Sequence, residues 1–259
     1  MKIVVCIKQV PDTTEIKLDP VTGTLIRAGV PSIMNPDDKV GLEMALQLKD
    51  KFDAHVTVIT MGPAQAELIL REAYALGADR AIHLTDRKFA GADTLATSNA
   101  LAGAIKQLDY DLIITGRQAI DGDTAQVGPQ IAEHLDLPQV SYLEDIKFDN
   151  NLFTMRRATE EGYQVLECKA PLVVTVLSTG SKPRYMSVNG IMTAYQKEVE
   201  LWGFDNIDVE EEKLGLKGSP TQVNKSYTKA VKQPGEVFEG DANEAVEVII
   251  NKLKEKFII

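Results

Sequence analysis

The stretch Thr115-Gly116-Arg117-Gln118-Ala119-Ile120-Asp121-Gly122-Asp123-Thr124-Ala125-Gln126-Val127-Gly128-Pro129 decides how the chain is read. It follows the apolar run Asp111-Leu112-Ile113-Ile114 and leads into Gln130-Ile131-Ala132-Glu133-His134-Leu135, which reads as helix. A polar, glycine-punctuated loop between a parallel strand and a helix gathers backbone N–H groups at one edge of a sheet. Those donors, with the positive end of the helix dipole, suit the phosphates of a nucleotide. The loop is neither a Walker A sequence nor a G-x-G-x-x-G fingerprint, so its ligand must be held differently, or there is none.

Outward from this loop, β-branched runs alternate with amphipathic stretches. Ile3–Ile7, His55–Thr60, Ala81–Leu84, Leu112–Thr115 and Leu172–Leu177 read as strands. A helix is predicted to start at Asn35-Pro36-Asp37-Asp38, with Asn35 as N-cap, proline in the first turn, and Val40, Met44, Ala45 and Leu48 on one face. Gly77 closes the next helix. The pattern predicts an α/β fold: a Rossmann-like nucleotide-binding domain on a parallel sheet, covered on both faces, with antiparallel hairpin insertions and an extended C-terminal arm. One insertion is expected at Glu15–Arg27, around Pro20-Val21-Thr22-Gly23. A second, Ile146–Lys169, turns at Asn150-Asn151 and near Glu161-Gly162.

Residues 1–190 are expected to form the nucleotide-binding domain, and residues 191–259 an arm with a terminal helix. The segment Leu214–Gly235 has no acidic residue, two prolines and no sustained period. Yet Trp202, Phe204, Leu214, Leu216, Val223, Tyr227, Val231, Val237 and Phe238 are more apolar than a disordered tail carries, which suggests an arm packed on a partner subunit. Asp241 is placed to cap a last helix, Ala245–Phe257.

Composition narrows the function. A formal charge of −10 over 259 residues argues against a nucleic-acid surface. No apolar run reaches membrane-spanning length, and Met1–Lys8 reads as a strand rather than a signal peptide. Cys6 and Cys168 form no C-x-x-C pair, and a cytoplasmic location is expected. His55, His83 and His134 lack metal-ligand spacing, so no metal site is expected. No nucleophile elbow, spaced carboxylate pair or histidine cluster is present. The residues describe a nucleotide holder without acid–base machinery.

Ligands of open parallel sheets bind beyond the carboxyl ends of the strands, where strand order reverses. The chain offers Cys6-Ile7-Lys8-Gln9, Met61-Gly62-Pro63, Gly91-Ala92-Asp93-Thr94 and the loop from Gly116 to Val127 there, with the Asn35-Pro36 turn in reach. Asp121 and Asp123 repel phosphates unless they accept hydrogen bonds from ribose hydroxyls or loop amides while Arg117 faces the phosphates.

With these residues in view, the chain resembles the β subunit of electron transfer flavoprotein over nearly its full length. The resemblance rests on Val5-Cys6-Ile7-Lys8-Gln9-Val10-Pro11, Asn35-Pro36, Met61-Gly62-Pro63-Ala64-Gln65, Gly77-Ala78-Asp79-Arg80 and Gly116-Arg117-Gln118-Ala119-Ile120-Asp121. The stretch from Arg157 to Leu166, followed by Pro171-Leu172-Val173-Val174-Thr175, matches the family's signature. Met155 departs from that signature, where a smaller residue is usual. The resemblance implies a heterodimer with a larger α subunit, embraced by the C-terminal arm. It maps the nucleotide site onto Cys6, Asn35 to Asp38, Met61 and the loop Gly116, Arg117, Gln118, Ala119, Asp121, Gly122, Asp123, Thr124, Ala125, Gln126 and Val127.

Conventional members hold AMP in that site; electron-bifurcating members hold a second FAD that accepts hydride from NADH. Phe89-Ala90-Gly91-Ala92-Asp93-Thr94-Leu95-Ala96-Thr97-Ser98 and Gly218-Ser219-Pro220-Thr221-Gln222-Val223 resemble the bifurcating group. Gly62, Gly91, Ala92, Asp93, Thr94 and Thr97 are therefore added to the expected FAD contacts. The resemblance further implies electron delivery to ferredoxin or flavodoxin and to a flavoprotein of the acyl-CoA dehydrogenase or lactate dehydrogenase type. Arg184, Tyr185, Met186 and Val188 match the family's recognition loop for such a dehydrogenase, with Val188 at an anchoring leucine's position. Thr193-Ala194-Tyr195-Gln196-Lys197 replaces the usual lysine cluster. The conventional AMP-bearing carrier is the alternative, and a non-redox adenine-nucleotide module of the universal-stress type is a rival from another class.

Overall fold

The computed structural model describes residues 1–12, 31–221, 235 and 237–259. The expected hairpin at Glu15–Arg27 lies outside these residues, as do Val223, Tyr227 and Val231 of the expected arm. In chain order the elements begin with β1 (Lys2–Cys6), β2 (Gln9–Pro11), β3 (Ser32–Met34), α1 (Pro36–Phe52), β4 (His55–Met61), α2 (Glu67–Leu76), β5 (Arg80–Leu84) and α3 (Thr94–Ile105). They continue with β6 (Leu112–Gly116), α4 (Val127–His134), β7 (Gln139–Asp149), β8 (Leu152–Thr159), β9 (Gly162–Lys169), β10 (Leu172–Val176), α5 (Val188–Ala194), β11 (Val199–Trp202) and α6 (Ala242–Glu255).

Nine strands form one sheet in the order β11-β5-β4-β1-β6-β10-β7-β8-β9. Pairing is parallel from β11 through β7 and antiparallel from β7 to β9. Buried on both faces, the inner strands read as continuous apolar runs, which is why Ile3–Val5 and Leu112–Ile114 show no alternation. The apolar core divides between the two faces. Val5, Val58, Leu112 and Val174 pack with α1 and α2; Val4, Ile59, Ile113 and Val173 pack with residues of α3 and α4. From β1 the sheet grows through β4 and β5 on one side and through β6 and β10 on the other. The switch point therefore lies between β1 and β6. The second insertion is a continuation of the sheet, because β7 begins as a parallel partner of β10 before turning outward.

Contacts divide the chain into Met1–Lys225 and Ser226–Ile259, whereas the sequence suggested a division after residue 190. The difference has a packing cause. β11 extends the sheet beside β5, Leu214 is buried in the core on the α3/α4 face, and Trp202 and Phe204 pack against that core. Leu216 covers Gly91. In the second unit Val237 and Phe238 are exposed, and α6 starts at Asp241 with a capping box closed by Glu244. Among the described residues, no helix is long and apolar enough to cross a membrane.

Candidate nucleotide site at the strand exits

The first turn of α1 holds the switch point together. Asn35 precedes the helix but makes no side-chain cap bond. Its amide nitrogen donates to the Gln118 carbonyl at 2.8 Å, and its oxygen accepts the Ile120 N–H at 3.1 Å. Asp38 accepts N–H bonds from Lys8 beyond β1 at 2.8 Å and from Gly116 in β6 at 3.0 Å. Asp37 accepts the Ser178 N–H beyond β10 at 2.9 Å. Three consecutive strands of the sheet thus close on one helical turn. Sequence reading assigned this turn to helix capping and ligand contact; its side chains are buried and bound to other elements.

Gly116 is required by this packing. A Cβ there would lie 2.2 Å from an Asp38 carboxylate oxygen and 2.8 Å from the Asp37 Cβ. Burial pushes the Asp38 carboxyl up from 3.8 to about 7, against the lowering effect of the Asn35 amide and the Lys8 and Gly116 N–H groups. Burial likewise raises the Cys6 thiol, so Cys6 at the end of β1 is a neutral packing residue.

Residues 117–126 form the loop above this bracket. The Arg117 N–H donates to Val176 of β10 at 2.9 Å. Its Nε is buried without a hydrogen-bond partner; the Asp37 carboxylate at 3.6 Å is an ion-pair neighbour only. Asp121 is paired with the Lys8 ammonium at 2.7 Å, and Asp123 accepts from the Gln118 amide at 2.8 Å. The chain's own donors therefore meet the two carboxylates that oppose phosphate binding. The N–H groups of Gly122 and Asp123 bond the Ala119 carbonyl, whereas those of Thr124, Ala125 and Gln126 meet no acceptor among the described residues. Asp123 and Ala125 take left-handed backbone angles, φ 49° and 53°. Such residues occur in the backbone nests that bind anions, and for Ala125 the conformation costs about 1–2 kcal/mol. Val127 then opens α4, and Gly128 lets that helix approach Thr115 and Thr175.

Two further buried oxygens near these strand exits lack partners, Gln9 Oε1 and Thr60 Oγ1. At the β4 exit, Met61 packs on the core of the α3/α4 face, and the Gly62 carbonyl accepts from His83 Nε2 at 3.0 Å. At the β5 exit the arm meets two of the expected ligand contacts, Gly91 and Asp93. Ser219 Oγ accepts the Asp93 N–H at 2.8 Å, and Asp93 accepts from Ala96 at 3.0 Å and Thr221 at 3.1 Å. Although burial pushes the Asp93 carboxyl up, these bonds hold it below the usual carboxylate range. Gly91, left-handed at φ 75°, faces Leu216, with Ala92 following it in the same turn. Thr94 donates to Gln126 Oε1 at 2.8 Å across the gap between α3 and α4, while Thr97 lies half-buried one turn on. The arm contacts and the roles of Lys8 and Asp37 had no local sequence signal, because each pairs groups far apart in the chain.

The expected recognition loop lies apart from these residues. Arg184 is its anchor: its guanidinium bonds Glu43 at 2.8 Å and Asp50 at 2.8 Å. Tyr185, Met186 and Val188 are exposed, and α5 adds exposed Ile191 and Met192, with Tyr195 just beyond.

The site's donor set fits a nucleotide: a guanidinium whose Nε lacks a hydrogen-bond partner, open loop amides, and carboxylates occupied by Lys8 and the Gln118 amide at a switch point. A family model described as the Electron transfer flavoprotein domain matches residues 22–206. The chain is 58% identical to the electron transfer flavoprotein subunit beta of Clostridium acetobutylicum, over all of both chains. Over all of both chains it is also 51% identical to the caffeyl-CoA reductase-Etf complex subunit CarD of Acetobacterium woodii. It is 45% identical, again end to end, to the acryloyl-CoA reductase electron transfer subunit gamma of Anaerotignum propionicum. The chain belongs to the electron transfer flavoprotein family, among its β subunits.

Proposed function

We propose that this β subunit holds FAD at the β1/β6 switch point and forms the NADH-oxidising half of an electron-bifurcating flavoprotein. The observation that carries the reading is Arg117, whose Nε is buried and unpartnered directly over the bracket. Arg117 and the amides of residues 124–126 would receive the pyrophosphate, while Lys8 and Gln118 keep Asp121 and Asp123 from opposing it. Thr94 and Thr97, on the first turns of α3, would meet the isoalloxazine or ribose. The flavin supplies hydride and one-electron chemistry that no side chain here possesses. This chain's residues bind and orient it, with no general acid required.

On this reading the flavin held here would serve ferredoxin or flavodoxin and, through an α subunit, a dehydrogenase of the acyl-CoA or lactate type. The names of the Acetobacterium and Anaerotignum relatives place them with acyl-CoA reductases, which supports this partner class. Tyr185, Met186 and Val188 would meet the dehydrogenase. On α6, Val246, Ile249, Ile250 and Leu253 recur at helical spacing with no residue of the helix buried, as an arm seated on an α subunit requires.

The test is to co-purify the two subunits and count nucleotides. Two FADs per heterodimer support the proposal; one FAD with one AMP gives the conventional carrier instead. A colourless assembly after incubation with excess FAD overturns the flavin reading altogether.

A further inference from the structure

Asp38 lies beneath the crevice rather than in it. Its two oxygens accept the N–H groups of Lys8 and Gly116, which belong to the two arms of the switch point. Cys6 faces it from β1 and Asp37 from its own helix, and the Asn35 amide, which bonds the Gln118 carbonyl, lies beside it and favours its anion. The nearby cations are engaged elsewhere, Lys8 with Asp121 and Arg117 with Asp37. Among the described residues no cation pairs with Asp38.

We propose that Asp38 is a proton-sensitive positioning residue that sets the separation of the β1 and β6 exits, and through them the grip on the nucleotide. This rests on the nucleotide reading above and adds to it a device that touches no ligand. As an anion, Asp38 offers one acceptor to each strand. As an acid it places a hydroxyl where one acceptor stood, and one exit loses its hold. Burial raises its pKa from 3.8 to about 7, which puts the change near neutrality.

The sign distinguishes positioning from simple support of the fold. A carboxyl raised by folding contributes most stability below its unfolded value, and that contribution is lost as pH rises toward about 7. Nucleotide retention should run the other way, strengthening as pH rises through the same window. A pure stability role cannot produce that slope.

The experiment is equilibrium binding of FAD, and separately of AMP, to the full chain at pH 6 and pH 8, beside Asp38→Asn. Wild type should bind about fivefold or more tightly at pH 8, as expected for a group titrating near 7. Asp38→Asn should bind on the order of tenfold more weakly at pH 8 and show no pH step, because its NH₂ faces one of the two N–H donors. Its thermal midpoint should stay close to wild type, since a buried charge is removed. Should Asp38→Asn fail to fold, the wild-type pH profile decides alone. Tight wild-type binding that is flat with pH, or tighter at pH 6, overturns the inference and leaves the nucleotide reading intact. Failure of wild type to bind either probe removes both.

Discussion

The strand-exit edge and the α5 patch present opposite kinds of surface. At the edge, side chains from α1 are spent inward on backbone N–H groups of three strands, and one guanidinium nitrogen is left buried without a partner. At the patch, Tyr185, Val188 and Met192 stand out in solvent, fixed through Arg184 to Glu43 and Asp50. The edge is pre-organised, so ligand binding there should cost little ordering. The patch is apolar and exposed. On the function proposed above, the first region would hold a small molecule and the second would meet a partner.

The sharpest way to break this contrast is Gly116→Val. Its side chain would collide with Asp37 and Asp38, so the bracket must open. A loss of about 2–3 kcal/mol is expected, read as a fall of about 5–10 °C in melting temperature, together with loss of nucleotide binding. Normal melting would show that the bracket yields easily.

Arg117→Glu is the next largest effect and acts on both binding and stability. The guanidinium is the cation beside the buried Asp37 at 3.6 Å, so a carboxylate in its place should also lower the melting temperature. Phosphate repulsion should weaken FAD or AMP affinity tenfold or more, measured by equilibrium titration. Unchanged affinity would mean that Arg117 faces away from the ligand.

Arg184→Ala tests the patch alone and should have the smallest effect. Glu43 is buried and would keep only the Gln47 amide and the Arg184 backbone N–H, costing about 1–2 kcal/mol. Hydrogen exchange should quicken in residues 181–188 while nucleotide affinity stays at its wild-type value. A concurrent loss of nucleotide would show that the two regions are coupled.

Much of the fold was legible because local chemistry and global packing agree. The five expected strands all form, Gly77 ends α2, and Asp241 caps the last helix. The apolar residues of 202–214 could be assigned to a partner as readily as to this chain's own core; in the structure β11 pairs beside β5 and Leu214 is buried in the core.

The site shows the same division. Sequence alone established the alternation of strands and helices, the glycine-punctuated loop and the family pattern, since each is written in neighbouring residues. Tertiary structure alone decided what the polar side chains do. Asp38 joins Lys8 to Gly116, Lys8 neutralises Asp121, and Ser219 holds Asp93. These partners lie 30 to 126 residues apart. Hydrogen bonds over such separations depend on where the sheet brings strand ends together, and no local periodicity encodes that.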